Sequence, residues 1–175
     1  GRCIYYSSVL GLPLGMFYKR RNYSVVVNGR NPIEAHEFLG SDIVGKDLIL
    51  VDDMISSGDS MLDISAKLKE MGAGRIFIFS TFGLFVEGLE KFDDYHKRGL
   101  IDKVYTTNLI YQTPELLSRE WYCSVDMSKY ISLLIDTLNH DETISQLLAP
   151  VTRIKALMEK HTAELDNQVS MFENK

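Results

Sequence analysis

The chain is short of cysteine, of positive charge and of long apolar runs, and each shortage excludes a class of protein. Two cysteines in 175 residues, Cys3 and Cys123, are too few and too far apart for a disulfide framework or a zinc site. Lys and Arg number 19 against 24 Asp and Glu, for a formal net charge of −5. That balance argues against non-specific nucleic-acid binding, which draws on clustered cations. No apolar run approaches the roughly 20 residues of a membrane helix, and no signal-type leader precedes the first strand. A reducing cytoplasm is the expected compartment, with neither nucleic acid nor membrane as partner. Internal repeats and low-complexity tracts are lacking too. What remains is enough for one well-cored domain, with an apolar fraction of 45%, ordinary for a globular protein. The opening "GRCIYYSSVLG" has helical character from its first residue, with no initiator Met and no leading strand. This is the start expected of a piece of a longer chain.

Apolar runs too short for helices alternate with segments of helical period, a pattern that predicts βα units and a mainly parallel sheet. "LPLGMFYKRR" reads as a strand ending in Lys19, Arg20 and Arg21. In the following "NYSVVVNGRNPIEAHEF", Asn28-Gly29 is a hairpin signal because both residues tolerate positive φ. A hairpin arm or flap fits this stretch better than a helix. "LILV" (48–51) is the central strand. A helix over 60–71 follows, with Met61, Ile64, Leu68 and Met71 on one face, stopped by "GAG". "RIFIF" closing in "STFG", then "KVYTTN" and "REWYCSV" supply further strands. Leu89, Phe92 and His96 give the intervening helix its inner face. Two helices end the chain, over 127–140 and 151–172, the second started by Pro150.

In open α/β sheets ligands bind at the carboxyl ends of strands. Four polar clusters map to such ends: Lys19-Arg20-Arg21, Asp52-Asp53, Ser80-Thr81 and Thr106-Thr107-Asn108. The stretch "VDDMISSGDSM" joins two adjacent carboxylates to a hydroxyl-rich turn that opens a helix. A helix N-terminus attracts an anion through its unpaired N–H groups and dipole, and Ser56, Ser57 and Ser60 add hydroxyls. Two carboxylates beside it accept hydrogen bonds from vicinal hydroxyls or hold Mg²⁺ through water. Phosphate at one end and a diol at the other describe a sugar phosphate.

Four apolar residues, two acids, two apolar residues and a hydroxylic loop resemble the phosphoribosyl diphosphate motif of type I phosphoribosyltransferases. The longer series "PLGMFYKRR", "GSDIVGKDLILVDDMISSGDSM", "GAGRIFIFSTFGLF", "VYTTNLIY" and "SVDMSKYISLLIDTL" resembles the C-terminal half of the ribose-phosphate pyrophosphokinases, from Gly1 to about Leu148. The resemblance implies an α/β, phosphoribosyltransferase-like, mainly parallel sheet flanked by helices, with a hairpin flap and a long C-terminal helix. It divides the chain into a ribose-5-phosphate-binding domain over 1–148 and a C-terminal helix over 149–175. An N-terminal domain carrying the ATP site is absent from this chain, and no Walker-type motif replaces it.

The implied reaction moves pyrophosphate from ATP to ribose 5-phosphate, releasing AMP. By resemblance Asp52 and Asp53 face the ribose hydroxyls and Mg²⁺, while Ser56, Ser57, Gly58, Asp59 and Ser60 hold the 5-phosphate. Lys19 and Arg21 match the catalytic cations at the root of a mobile loop, and Thr81 lines the same cleft. ATP is the co-substrate, and the family assembles into dimers and hexamers. Three departures stand out. Asp59 occupies a place where the family usually has Gly, and Ser56 one where relatives commonly carry Asp. The flap is longer than usual, which sets Arg30 beside Arg21 as an alternative cation.

Plainer readings exist for most other polar residues. His96 shares a face with Leu89 and Phe92 and reads as packing. His36 follows the flap, and His140 and His161 lie on late helices. Glu142 and Glu159 read as solvated surface, and Cys123, beside Trp121 and Tyr122, as core. A regulatory or inactive relative that senses phosphoribosyl diphosphate is one alternative function, and a phosphoribosyltransferase acting on a nucleobase is another. A phosphorelay receiver fails, because neither later strand ends in an acceptor Asp.

Overall fold

A computed structural model of the chain describes residues 2–21, 33–145 and 147–173, and the side chains of all of these except 18–21, 33–37 and 165–173. After helix α1 (Arg2–Leu10), strands β1 (Met16–Arg21) and β2 (Ile33–Leu39) pair antiparallel as a separate two-stranded arm. The predicted hairpin arm is therefore present, while its expected Asn28-Gly29 turn, and Arg30, lie outside the described residues. Lys19, Arg20 and Arg21 belong to this arm, not to a strand end of the main sheet, which corrects the mapping expected from the sequence. The pairing register shifts between Arg20 and Arg21, so the arm is irregular where the cations sit.

The main sheet has four parallel strands in the order β3 (Leu48–Ile55), β4 (Ile76–Gly83), β5 (Lys103–Thr107), β6 (Tyr122–Val125). Helices α2 (Asp59–Glu70), α3 (Glu90–Lys97) and the single turn α4 (Pro114–Leu117) connect them. α5 (Ser128–Asn139) and α6 (Val151–Glu173) follow. Strand side chains alternate between two faces. One face carries Ile76, Ile78 and Val104, each fully buried, against Met61, Leu62 and Leu68 of α2 and Phe92 of α3. An aromatic cluster closes this core. Phe92 stacks on Trp121 with centroids 5.3 Å apart, and Phe85 meets Phe92 edge-on at 5.1 Å. On the opposite face Phe79 and Tyr105 stack at 4.4 Å but stay half-buried, and Ile49 is exposed.

Two expectations change. β3 runs past "LILV" through the acids to Ile55, because its ladder with β4 continues through Asp52↔Ser80 to Ile55↔Gly83. Met71 is exposed, not part of the buried stripe of α2. It caps the helix, its N–H bonding the Lys67 carbonyl, just before Gly72 takes φ 87°. No helix among the described residues is long and apolar enough to cross a membrane.

Candidate functional site

The parallel register sets a polar row across the sheet where its apolar strands end. Asp52 is level with Ser80, Ser80 with Thr106, and Thr106 with Ser124. Ser80 and Thr106 are buried and internally satisfied. Ser80 Oγ donates to the Phe82 carbonyl at 3.1 Å, and Thr106 Oγ1 lies 2.5 Å from the Tyr122 hydroxyl. Gln112 Nε2 donates to that hydroxyl at 2.7 Å, and Ser124 Oγ donates to Gln112 Oε1 at 2.7 Å. Thr81 is exposed, and its carbonyl accepts from Thr107 Oγ1 at 2.6 Å. At this end of the sheet the hydroxyls of Ser80, Thr106, Tyr122 and Ser124 are already engaged with protein partners, while the exposed Thr81 hydroxyl meets none among the described residues.

Capacity remains at Asp52 and the turn after β3. A hollow of about 130 Å³ is lined by Asp52, Met54, Ile55 and the run Ser56 to Met61. All five turn residues predicted to hold phosphate are therefore brought together with one of the two predicted acids. The turn is held from outside, because the N–H groups of Leu84 and Val86 bond the carbonyls of Ile55 at 2.8 Å and Ser56 at 3.0 Å. Between them Phe85 takes φ 47°, a left-handed conformation unusual for an aromatic residue, and sends its ring into the core. Gly58 caps α2 with φ 89°, and a Cβ there would lie 2.3 Å from Phe92 Cζ. Only glycine meets both conditions. Its carbonyl accepts from Met61 and Leu62, whereas the N–H groups of Ser57, Gly58 and Ser60 meet no protein acceptor among the described residues. Donors left open in this way are what an anion at a helix start needs.

The two acids behave differently. Burial raises the Asp52 carboxyl above the usual aspartate range, against the Asp53 N–H, which lowers it, and with the help of the neighbouring Asp53 carboxylate. Asp53 is lowered, first by the hydrogen bond with Asp52. Its N–H donates to Asp52 Oδ1 at 2.8 Å, and its carboxylate takes a hydrogen bond from Arg2 Nη2 at 3.3 Å, with both side chains largely in water. Asp53 is outside the lining of the hollow. Asp59 is ion-paired with Lys91, whose Nζ lies 2.7 Å from Oδ1, and this bond lowers the Asp59 carboxyl. The same ammonium holds Glu87 at 2.5 Å, and the two acids raise it well above the ordinary lysine range. Arg2 and Lys91 were not anticipated as neighbours of the site. Glu87 four residues before Lys91 was the available hint of an organised pair.

Lys19 and Arg21 are placed only as β1 backbone, opposite His36 and Ile33 of β2. Among the described residues no group of three or more His, Cys, Asp or Glu forms a metal cage. Asp52 and Asp53 fit instead a hard cation held mainly by water and ligand phosphate oxygens, as Mg²⁺ usually is. A larger hollow of about 520 Å³ lies between α1 and α6, lined by Val9, Lys155, Met158, Glu159, Thr162 and Ala163. None of these lining residues belongs to a strand of the main sheet or to the turn after β3.

A parallel α/β sheet with an acidic strand end and an open-donor turn belongs to the class of open α/β folds whose ligands sit at the carboxyl ends of the strands. The comparisons narrow it. Residues 25–149 match the Phosphoribosyl synthetase-associated domain, and the chain belongs to this family of phosphoribosyl pyrophosphate synthetases. The ribose-phosphate pyrophosphokinase of Shewanella oneidensis is 31% identical over 108 residues, covering 62% of this chain and 33% of its own length. That of Pyrococcus abyssi is 37% identical over 82 residues, covering 47% of this chain and 26% of the relative. The crystal structure of phosphoribosylpyrophosphate synthetase from Mycobacterium smegmatis superposes with a TM-score of 0.63 over 79% of this chain and 40% of that one. At 19% identity this likeness speaks for the fold. The chain spans about a third of the length of the curated relatives it matches.

Proposed function

We propose that this chain is the ribose-5-phosphate-binding part of a ribose-phosphate diphosphokinase, which transfers pyrophosphate from ATP to ribose 5-phosphate and releases AMP. The observation that carries the proposal is the hollow over the α2 N-terminus, where Asp52 and the open N–H groups of Ser57, Gly58 and Ser60 converge. In this reading the turn Ser56 to Ser60 receives the 5-phosphate, and Asp52 and Asp53 accept hydrogen bonds from the ribose hydroxyls. Mg²⁺, when bound, supplies charge neutralisation for the phosphoryl oxygens. Lys19 and Arg21, with Arg30 and Thr81 as further cleft residues, offset charge on the transferring group. Residues 1–148 form the binding domain and 149–175 a C-terminal helix. The remainder of a longer chain carries the ATP site, so this segment alone binds without turnover. Assembly into a dimer or hexamer, and a cytoplasmic place in nucleotide biosynthesis, belong to the same proposal.

Calorimetric titration of the chain with ribose 5-phosphate tests it. Binding is expected, weakened at least about tenfold by Asp53→Asn or Ser57→Ala, the scale of one charge-assisted hydrogen bond. Absence of binding by both ribose 5-phosphate and phosphoribosyl diphosphate at millimolar concentration defeats the assignment. A regulatory relative is the second reading, favoured by Asp59, which bonds Ser57 within the turn and Lys91 of α3. A full-length protein that consumes no ATP in the presence of ribose 5-phosphate selects it.

A further inference from the structure

Ser57 has one hydroxyl proton, and in this structure it is spent internally. Its Oγ donates to Asp59 Oδ2 at 3.0 Å and accepts from the Asp59 N–H at 3.4 Å. The other carboxylate oxygen of Asp59 holds the Lys91 ammonium at 2.7 Å, and Asp59 itself lines the hollow. A phosphate ester is a pure acceptor: it needs the Ser57 proton and gains from a nearby cation. Asp59 therefore already does, with its own carboxylate, what an incoming phosphate would do. It sits at the first residue of α2, where a negative charge is favoured by the helix dipole, so it competes for that field as well.

We infer that Asp59 is a built-in competitor for the phosphate group, and that Lys91, reaching over from α3, is a phosphate-binding residue held in reserve by it. On binding, Ser57 rotates its hydroxyl from the carboxylate to a phosphate oxygen, and Lys91 is shared between Asp59 and the ligand. Glu87, at 2.5 Å, draws on the same ammonium and so also limits what Lys91 can give the ligand. The consequence is a site whose affinity is set below what its donors allow, and which selects ligands with enough negative charge to displace a carboxylate. A phosphate monoester meets this condition, whereas a neutral sugar does not. The inference rests on the reading that this turn receives a phosphate.

Titrating the whole chain with inorganic phosphate and with ribose 5-phosphate separates the possibilities. Asp59→Ala is expected to tighten both ligands roughly tenfold, the worth of one charge-assisted hydrogen bond. Lys91→Ala weakens both, and in the Asp59→Ala background it removes most of the gain. A merely structural role for Asp59 predicts loss, never gain. Glu87→Gln, which leaves the turn intact, serves where Asp59→Ala fails to fold, and a tightening of about two- to threefold is expected from freeing Lys91 of one partner. If the parent chain binds ribose 5-phosphate and neither Asp59→Ala nor Glu87→Gln binds it more tightly, the competitor is refuted and the phosphate site stands. If neither the parent nor any variant binds either ligand at millimolar concentration, both fall together.

Discussion

At the scale of single residues, the site depends on a side chain that is absent. Gly58 has φ 89°, and any Cβ would press on Phe92 Cζ at 2.3 Å. Gly45 offers a control, with φ 69° and nothing within 4 Å of its would-be Cβ. Replacing Gly45 by Ala should cost about 1 kcal/mol from backbone strain alone. Gly58→Ala should cost about 2–4 kcal/mol, since strain adds to overpacking against a buried ring. Urea denaturation of both variants checks the difference, and equal losses would remove the clash from the account. Sequence reasoning set Gly58 in the turn but gave no reason for glycine there, and the structure supplies two, the positive φ and the ring of Phe92. The turn chemistry was local and visible, whereas Phe92 is distant in sequence and reaches Gly58 only once α3 has docked. Lys91 escaped notice for the same cause.

At the scale of elements, Asp93 ties α3 to the residues just before β6 through polar contacts that the apolar pattern does not reveal. The indole N–H of Trp121, a residue only 2% exposed, donates to Asp93 Oδ1 at 2.6 Å, and Arg119 Nε lies 3.1 Å from the same oxygen. Asp93→Ala leaves a buried donor without its acceptor, at an expected cost of about 1–3 kcal/mol. Trp121 is the sole tryptophan, so its fluorescence reports the change directly. An unaltered emission spectrum and unfolding midpoint would show that the bond is dispensable. Strand and helix periods were legible because each is a local repeat of apolar residues. Where the elements end was less so. β3 continues through Asp52 and Asp53 because β4 pairs alongside it, and acidic residues carry no signal of that. The four-residue α4 is too short to show a period, although Thr113, whose Oγ1 accepts from the Leu116 N–H, and Pro114 mark its start.

For the whole molecule, the balance of carboxylates sets the response to acid. Asp47 is lowered by Arg75, which bonds it through Nη2 at 2.6 Å and Nε at 3.0 Å. Asp59 is lowered by Lys91, Asp126 by Ser128, and Asp53 by Asp52. A carboxyl lowered on folding contributes stability above its unfolded value, and that contribution disappears as pH falls through the lower folded value. Asp52, raised by burial, has the opposite sign: its protonation relieves the fold as pH drops toward the unfolded value. Thermal midpoints should accordingly hold level, or rise slightly, from pH 7 down to about 4, then fall steeply below it. In Asp47→Asn the fall below about pH 4 should be shallower, because one contributor is gone. An identical slope would exclude the Arg75 pair. The α/β class, a mainly parallel sheet and the arm were readable from alternation and turn chemistry, whereas the order of the strands was not. Neither the unequal cover of the two sheet faces nor the level row from Asp52 to Ser124 was, since both depend on the register between strands.

The nesting of Phe92 against Gly58 has an evolutionary corollary. Positions 58 and 92 are coupled in one direction: a lineage that acquires a methyl at the first must shrink the ring at the second beforehand, loosening its stack on Trp121. Divergent members of the family should therefore keep both residues, exchange both, or carry a smaller residue at 92 alone, whereas a side chain at 58 facing an intact Phe92 should be scarce among natural sequences.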